Sequence, residues 1–431
     1  MISTKEQIIE YFKTGIKETK NFKIGIEHEK FLFNNEDNKR VNYSKIKEMF
    51  TALLEFGWHP VLEKGNIIGL NKGGKNITLE PGNQIELSGD KLNTIHEACA
   101  ESHDYLFELR QVTKKTGIKI VSAGFDPISK LSEVPNNPKK RYELMTKDMP
   151  EGGELSLDMM YRTCGTQLNI DYNSEQDFIK KFKIVNSIVP ITIALFANSS
   201  IKEKKNSNYL SYRSKVWQNT SRGGLPKLFF ESLNFEKYAE FTMDFPVLFI
   251  QDKGEYISGR KYIFRDFIEG KISEINNRLP TESDLTTHLS TIFTENRLKK
   301  YIELRSMDTC GWDCLCAGPA FNIGMLYGNL EEVYDVISKW ETDKVINAYL
   351  EAPKKGFNTQ LMGKDLLYWS STLLNLSKKG LENRDILSRK GNNETIFLSH
   401  LQKVIDNKTT NADHMISKFS ANENLDELYD K

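Results

Sequence analysis

Excess charge of either sign is missing from this chain. Among 431 residues, 59 Lys and Arg balance 59 Asp and Glu, and the formal net charge is zero. Proteins whose main partner is a polyphosphate backbone carry a basic surplus, so a dedicated nucleic-acid binder is excluded. Long apolar runs are missing as well. The longest, 188–197, is interrupted by Pro190 and Thr192 and falls far short of the ~20 residues that span a bilayer. Residues 1–7 hold no apolar core of a secretion signal, which gives the expectation of a cytoplasmic chain. Cysteine is scarce: five residues, an odd number, make no disulfide framework and fit reduced thiols.

What is present is ordinary globular composition, 39% hydrophobic and 27% charged, which argues against disorder. No internal repeat, low-complexity tract or linker divides the chain. It reads as a single unit over 1–431, with strands and helices mixed to about Tyr327 and an almost wholly helical part over about 328–431. Helical spacing predicts helices over 44–56, ended by Gly57, and over 92–115, stopped by Gly117. A third, over 174–197, is bent at Pro190. Strands are expected over 23–33, 77–79, 84–87, 166–172, 247–250 and 301–306. They do not alternate regularly with single helices, so an α+β fold with a mostly antiparallel sheet is favoured over a doubly wound one.

Side chains alternate faces along a strand. Ile24, Ile26 and Leu32 therefore share one face of the first strand, and Glu27 and Glu29 the other. Leu168 and Ile170 oppose Gln167 and Asn169; Ile85 and Leu87 oppose Glu86; Ile302 and Leu304 oppose Glu303 and Arg305. A single strand of this kind reads as the solvated face of a sheet. Four together, rich in carboxylates and amides where Lys, Thr and Ser are usual, predict convergence. Crowded like charges raise pKa values or recruit a cation. Oxygen donors without a His–Cys cluster suit Mg²⁺ or Mn²⁺, and such a cup fits phosphate chemistry. Glu80 stands just before Pro81-Gly82, where the chain must bend. Arg141, Arg162, Arg213, Arg222, Arg297 and Arg305 lie in or beside these segments and offer bidentate grips for anionic substrates. The stretch 211–224 carries Arg213, Trp217 and Arg222 among polar and glycine residues, and reads as a mobile binding loop.

Two tempting motifs are rejected. Gly69-Leu70-Asn71-Lys72-Gly73-Gly74-Lys75 begins like a phosphate-binding loop, but Asn76 stands where the Mg²⁺-binding hydroxyl is needed and no helix follows; a glycine-rich β-turn is expected. The spacing of Cys310, Cys314 and Cys316 fits neither zinc nor iron–sulfur sites, which leaves buried free thiols.

At these same segments the chain resembles the plant and proteobacterial type of glutamate–cysteine ligase. The likeness rests on Gly25-Ile26-Glu27-His28-Glu29-Lys30-Phe31, Leu79-Glu80-Pro81-Gly82 with Glu86-Leu87-Ser88-Gly89, and Asp158-Met159-Met160-Tyr161-Arg162-Thr163-Cys164 with Gln167-Leu168-Asn169. Arg213-Ser214-Lys215-Val216-Trp217 and Tyr301-Ile302-Glu303-Leu304-Arg305 follow in the same order. The resemblance implies a glutamine-synthetase-like catalytic fold, a cupped sheet with helices on its outer face. It implies ATP-dependent ligation of the γ-carboxylate of L-glutamate to L-cysteine, the first step of glutathione synthesis. It also implies a metal set of Glu27, Glu29, Glu80, Glu86, Gln167 and Glu303, with Arg141, Arg162, Arg213 and Trp217 on the substrates and Arg213 and Arg305 in catalysis. Only small-molecule partners are expected, for a monomer or homodimer. Two other readings keep the same residues: a ligase with a different amine acceptor, and a cation-storing cup. Plant members carry a cysteine pair where this chain has Gly259 and Glu274, so no thiol switch is expected there.

Overall fold

The computed structural model describes residues 1–231 and 233–422. Its centre is a nine-stranded sheet. In chain order the strands are β1 (Ile24–Asn34), β2 (His59–Glu63), β3 (Asn66–Lys72), β4 (Lys75–Leu79), β5 (Ile85–Ser88), β6 (Ile118–Val121), β7 (Gly165–Ile170), β8 (Asn296–Leu298) and β9 (Ile302–Asp308). Their spatial order is β8-β9-β7-β1-β5-β4-β3-β2, with β6 joining the far end of β1, and every pairing is antiparallel. The α+β expectation holds. The rejected phosphate loop is the hairpin joining β3 to β4, with Gly73 at φ 63°, a left-handed position suited to glycine. Residues 249–252 form a separate small hairpin with Glu255–Ser258 instead of joining the sheet.

β1 shows why the sheet has two unlike faces. Ile24, Ile26, His28 and Lys30 alternate as buried residues, while Glu27 and Glu29 between them point the other way. Behind β3, β4 and β5, Leu70, Ile77, Leu79, Ile85 and Leu87 pack on Met49, Phe50, Leu106 and Leu109 from two helices, Tyr43–Leu53 and Ile95–Thr116. Behind β1, β7 and β9, Ile24, Leu168, Ile170 and Ile302 pack into a larger cluster that includes Phe178, Leu195, Phe321, Leu373 and Leu401. That cluster joins the C-terminal helices to the back of the sheet, so burial of one apolar surface holds both parts together. The helix expected over 174–197 is two, Glu175–Ser187 and Val189–Leu195, with Pro190 in the first turn of the second, where its missing N–H is harmless.

Two expectations need correction. Cysteines read as free thiols are paired: Cys99 with Cys316, and Cys310 with Cys314, each with Cα atoms 5.8 Å apart, while Cys164 is buried and unpaired. The first pair lies 217 residues apart in sequence, joining the Ile95–Thr116 helix to the end of the short helix Trp312–Leu315, so only the tertiary fold brings it together. The stretch read as a mobile loop is ordered. Tyr212–Trp217 is a short helix capped by Ser211, with Arg213, Val216 and Trp217 buried. Its polar composition misled because its polar side chains, Arg213 and Ser214 among them, are buried inside the protein.

Candidate active site

The inter-strand register places the acids side by side. Glu29 stands opposite Glu86 on β5, Glu27 opposite Gln167 on β7, and Glu303 opposite Asn169. Directly opposed residues on one face have Cβ atoms about 5 Å apart. The facing read from each strand alone is therefore correct, and the neighbours complete it. A cavity of about 340 Å³ opens over this face. Glu27, Glu29, Glu80, Glu86, Gln167, Arg141, Arg305 and Trp217 all line it.

Each acid is held by donors. Gln167 Nε2 donates to Glu86 Oε2 at 3.2 Å and to Glu29 Oε1 at 3.4 Å, and its Oε1 accepts from Arg305 Nη1 at 2.7 Å. Asn169 Nδ2 donates to Glu27 at 2.7 Å, the Gly165 amide to Glu29, and Thr78 Oγ1 to both Glu80 and Glu86. Gln167 thus bridges the acids to Arg305 with its amide instead of turning its oxygen into the cup. Glu80 comes from the turn after β4. Asn137 Nδ2 donates to its carbonyl at 2.7 Å, Lys139 Nζ to the Leu79 carbonyl at 2.7 Å, and Tyr142 Oη to its carboxylate at 3.0 Å.

The charge balance is uneven. Burial pushes Glu29 up to about 7, against the opposing pull of the Gly165 N–H. Burial also raises Glu86 well above the usual carboxylate range, with the charges of Glu27, Glu80 and Glu29 adding to it. Glu27 is raised by burial and by Glu303. Glu303 behaves oppositely. Burial pushes it up, but Arg297, Lys299 and Arg305 together outweigh that and hold it well below the usual range. Its oxygens meet Arg297 Nη2 at 2.8 Å, Lys299 Nζ at 2.9 Å and Arg305 Nη1. It lies behind the cavity wall as the counter-charge to three cations.

Trp217, which lines the cavity, meets two guanidinium groups on its ring, Arg213 at 4.9 Å and Arg305 at 5.2 Å. Arg213 sits one layer behind Trp217, donating from Nη2 to the Arg305 carbonyl at 2.7 Å. Arg162 is elsewhere, buried against Phe125 and paired with Asp158 at 2.7 Å and Glu203 at 2.9 Å. Arg222 is likewise spent on the Thr291 carbonyl and hydroxyl. Several buried donors have no partner among the described residues: Arg141 Nε, Arg213 Nε and Nη1, Arg305 Nε and Trp217 Nε1.

Sequence reasoning missed the rest of the lining. Met145, Met159, Met160, Phe249 and Phe293 supply an apolar wall, and Thr286, Thr287, Ser290 and Thr291 a row of hydroxyls. The hydroxyl row stands at i, i+1, i+4 and i+5, a pattern legible as one helix face but blank as to what it faces.

The Glu80 turn also depends on a residue outside the cup. Arg40, with a fully buried side chain, pairs with the equally buried Asp126 at 2.9 Å and donates to the Gly82 carbonyl. Removing one member of a buried pair strands the other charge. Arg40→Met is expected to lower the unfolding free energy by about 3–5 kcal/mol, measured by urea denaturation. A loss below about 1 kcal/mol would show that the pair behaves like a surface one.

An antiparallel sheet that gathers acids and Arg305 on the face lining one cavity, with helices packed behind it, is the arrangement of a ligase fold of the glutamate–cysteine type. A solved glutamate–cysteine ligase from Francisella tularensis, in complex with AMP, shares this fold at TM-score 0.52 and 13% identity, over 94% of this chain and 86% of that one. The chain itself belongs to glutamate-cysteine ligase family 2, whose model matches residues 23–431. Chloroplastic glutamate–cysteine ligase B of Oryza sativa subsp. japonica is 39% identical over 422 residues, 96% of this chain and 84% of the relative. The chloroplastic enzyme of Nicotiana tabacum is 40% identical over 96% of this chain and 80% of its own length. This chain is thus an enzyme of the ligase class. The chloroplastic relatives overturn the expectation of a cytoplasmic location. An apolar leader marks secretion alone, and plastid transit segments, amphipathic and Ser-rich, carry none. Among the described residues, no helix is long and apolar enough to cross a membrane.

Proposed function

We propose that the cavity joins the γ-carboxylate of L-glutamate to the amine of L-cysteine with cleavage of ATP, by way of a γ-glutamyl phosphate. The observation that supports this most is the set of partnerless donors on Arg141, Arg305 and Trp217 around four carboxylates in one cavity. A buried donor left unpaired costs about 1–3 kcal/mol, so such a cluster makes sense as a grip for anionic groups. A carboxylate is a poor electrophile. Its oxygen attacks the γ-phosphorus, the bond to the β-phosphate oxygen breaks, and ADP leaves. The cysteine amine then attacks the acyl carbon, phosphate departs with the C–O electrons, and the nitrogen gives up a proton.

This chemistry needs positioning and charge neutralisation more than a strong base. Arg305 faces the phosphoryl group, held by Glu303 and Gln167. Arg141 binds a carboxylate end, and Arg213 adds positive charge behind Trp217. Arg162 takes no part, its guanidinium being committed to Asp158 and Glu203. The donor chemistry of the cup fits a hard divalent cation. Four glutamates share it and Glu86 and Glu29 are adjacent, although among the described residues no three acids yet converge on a single point. Glu27, Glu29, Glu80 and Glu86 would hold Mg²⁺ or Mn²⁺, which supplies charge neutralisation at phosphate oxygens. Glu303 and Gln167 serve as supports, because their charge and amide are engaged with Arg305. The whole chain acts as one catalytic unit on small-molecule substrates.

Glutamate carrying ¹⁸O in its γ-carboxylate tests the phosphorylated intermediate. One labelled oxygen is expected in the released phosphate, seen by mass spectrometry, with release requiring divalent cation and both amino acids. Product formation with unlabelled phosphate would remove the acyl phosphate.

A further inference from the structure

We propose that Asp308 is a positioning residue for Arg213 and, through it, for the arginine–tryptophan roof of the cavity. Asp308 ends β9, is 2% exposed and does not line the cavity, so it touches no substrate. Its carboxylate ties together the two segments that fix Arg213. Oδ2 accepts from the Asn198 amide at 2.9 Å and from Ser199 Oγ at 2.6 Å; Oδ1 accepts from Ser211 Oγ at 2.9 Å. Ser199 Oγ in turn accepts from the Arg213 amide at 3.1 Å. Ser211 caps the Tyr212–Trp217 helix by accepting from the Ser214 amide. One carboxylate therefore sets both the start of that helix and the backbone of Arg213.

The side chain of Arg213 has little else to hold it. One nitrogen donates to the Arg305 carbonyl, its plane rests on Trp217, and Nε and Nη1 are buried with no partner. The guanidinium of Arg213 also favours the negative charge of Asp308, so the two attract each other. The fold also makes room for the carboxylate: a Cβ at Gly124 would collide with it. At a site that works by positioning, a displacement of about 1 Å can lose 10²-fold in rate. Three acceptor contacts concentrated on one buried oxygen pair, two of them leading to Arg213, mark Asp308 as the residue that prevents it.

The inference rests on the proposed site, and a double-mutant cycle separates the two. Asp308→Asn keeps the shape but turns an N–H₂ toward donors, and it is expected to lower kcat/KM about 10–100-fold. Arg213→Lys is expected to be impaired in the same parameters. In the Arg213→Lys background, Asp308→Asn should add less than about threefold, since both act through one group. Should Asp308→Asn not fold, Ser199→Ala, which removes the hydroxyl joining Asp308 to the Arg213 amide, carries the same comparison with an expected loss of about 3–10-fold. A loss of equal size in both backgrounds, or wild-type kinetics in the Asp308 and Ser199 variants beside an impaired Arg213→Lys, overturns the inference and spares the site. Wild-type kinetics in Arg213→Lys itself overturns both.

Discussion

Glu29→Gln is expected to lower kcat by about 10³-fold or more while the protein stays folded. Glu29 is the acid with the most central place. It is opposed by Glu86 on one side, lies within reach of Gln167 on the other, and is anchored by the Gly165 amide. Glutamine keeps the volume and can still accept from that amide, so the fold has no reason to change; raised burial energy even favours the neutral side chain there. What disappears is an anionic oxygen donor in a water-poor cup, where charge counts for most. Steady-state turnover with near-saturating Mg²⁺, ATP, glutamate and cysteine measures the effect, with circular dichroism as the fold control. A variant retaining a tenth or more of wild-type turnover would take Glu29 out of the working set.

The second large effect concerns pH. In the ligand-free cup burial holds Glu29 at about 7 and raises Glu86 well above the usual carboxylate range, so Glu29 keeps a proton near neutrality that a divalent cation must displace. Cation affinity is expected to rise about tenfold per pH unit up to about pH 7 for the single proton on Glu29, and binding at pH 6.5 should release protons, readable by calorimetry in buffers of different ionisation enthalpy. The same shift has a sign for stability. A carboxyl raised in the folded state stabilises fully below its unfolded value near 4.5 and loses that contribution as pH climbs through about 7. The cation-free protein should therefore melt at lower temperature at pH 8 than at pH 6, and saturating Mg²⁺ should narrow the difference. Proton-free binding together with a flat melting profile would mean that the acids are already ionised.

The acids and their facing were legible because a strand repeats every two residues: Glu27 and Glu29 cannot share a side with Ile24 and Ile26. The adjacency of Glu29 and Glu86 was not, since register depends on hydrogen bonds between segments about 57 residues apart in the chain. Glu80 was found as an acid before a bend, but its aim is set by Asn137, Lys139, Tyr142 and Arg40, which no local pattern connects to it. The bonds of Glu303 and Gln167 to Arg305 were not legible, because the sequence shows a carboxylate and an amide without showing that one guanidinium engages both. Arg162 looked like its fellow arginines until burial revealed that Asp158 and Glu203 occupy it. β2 escaped notice because four of its five residues are exposed and one is Pro60, so it carries no alternation to read.

β1 has glutamates on one side and His28 and Lys30, both buried, on the other. A deletion or insertion of one residue just ahead of Glu27 would rotate that whole strand by half a turn of its pleat, delivering imidazole and ammonium into the carboxylate cup and pressing carboxylates into hydrocarbon. Length changes in this gene are thus tolerable in the β3–β4 hairpin tip and lethal to chemistry in β1, whatever residue is gained or lost.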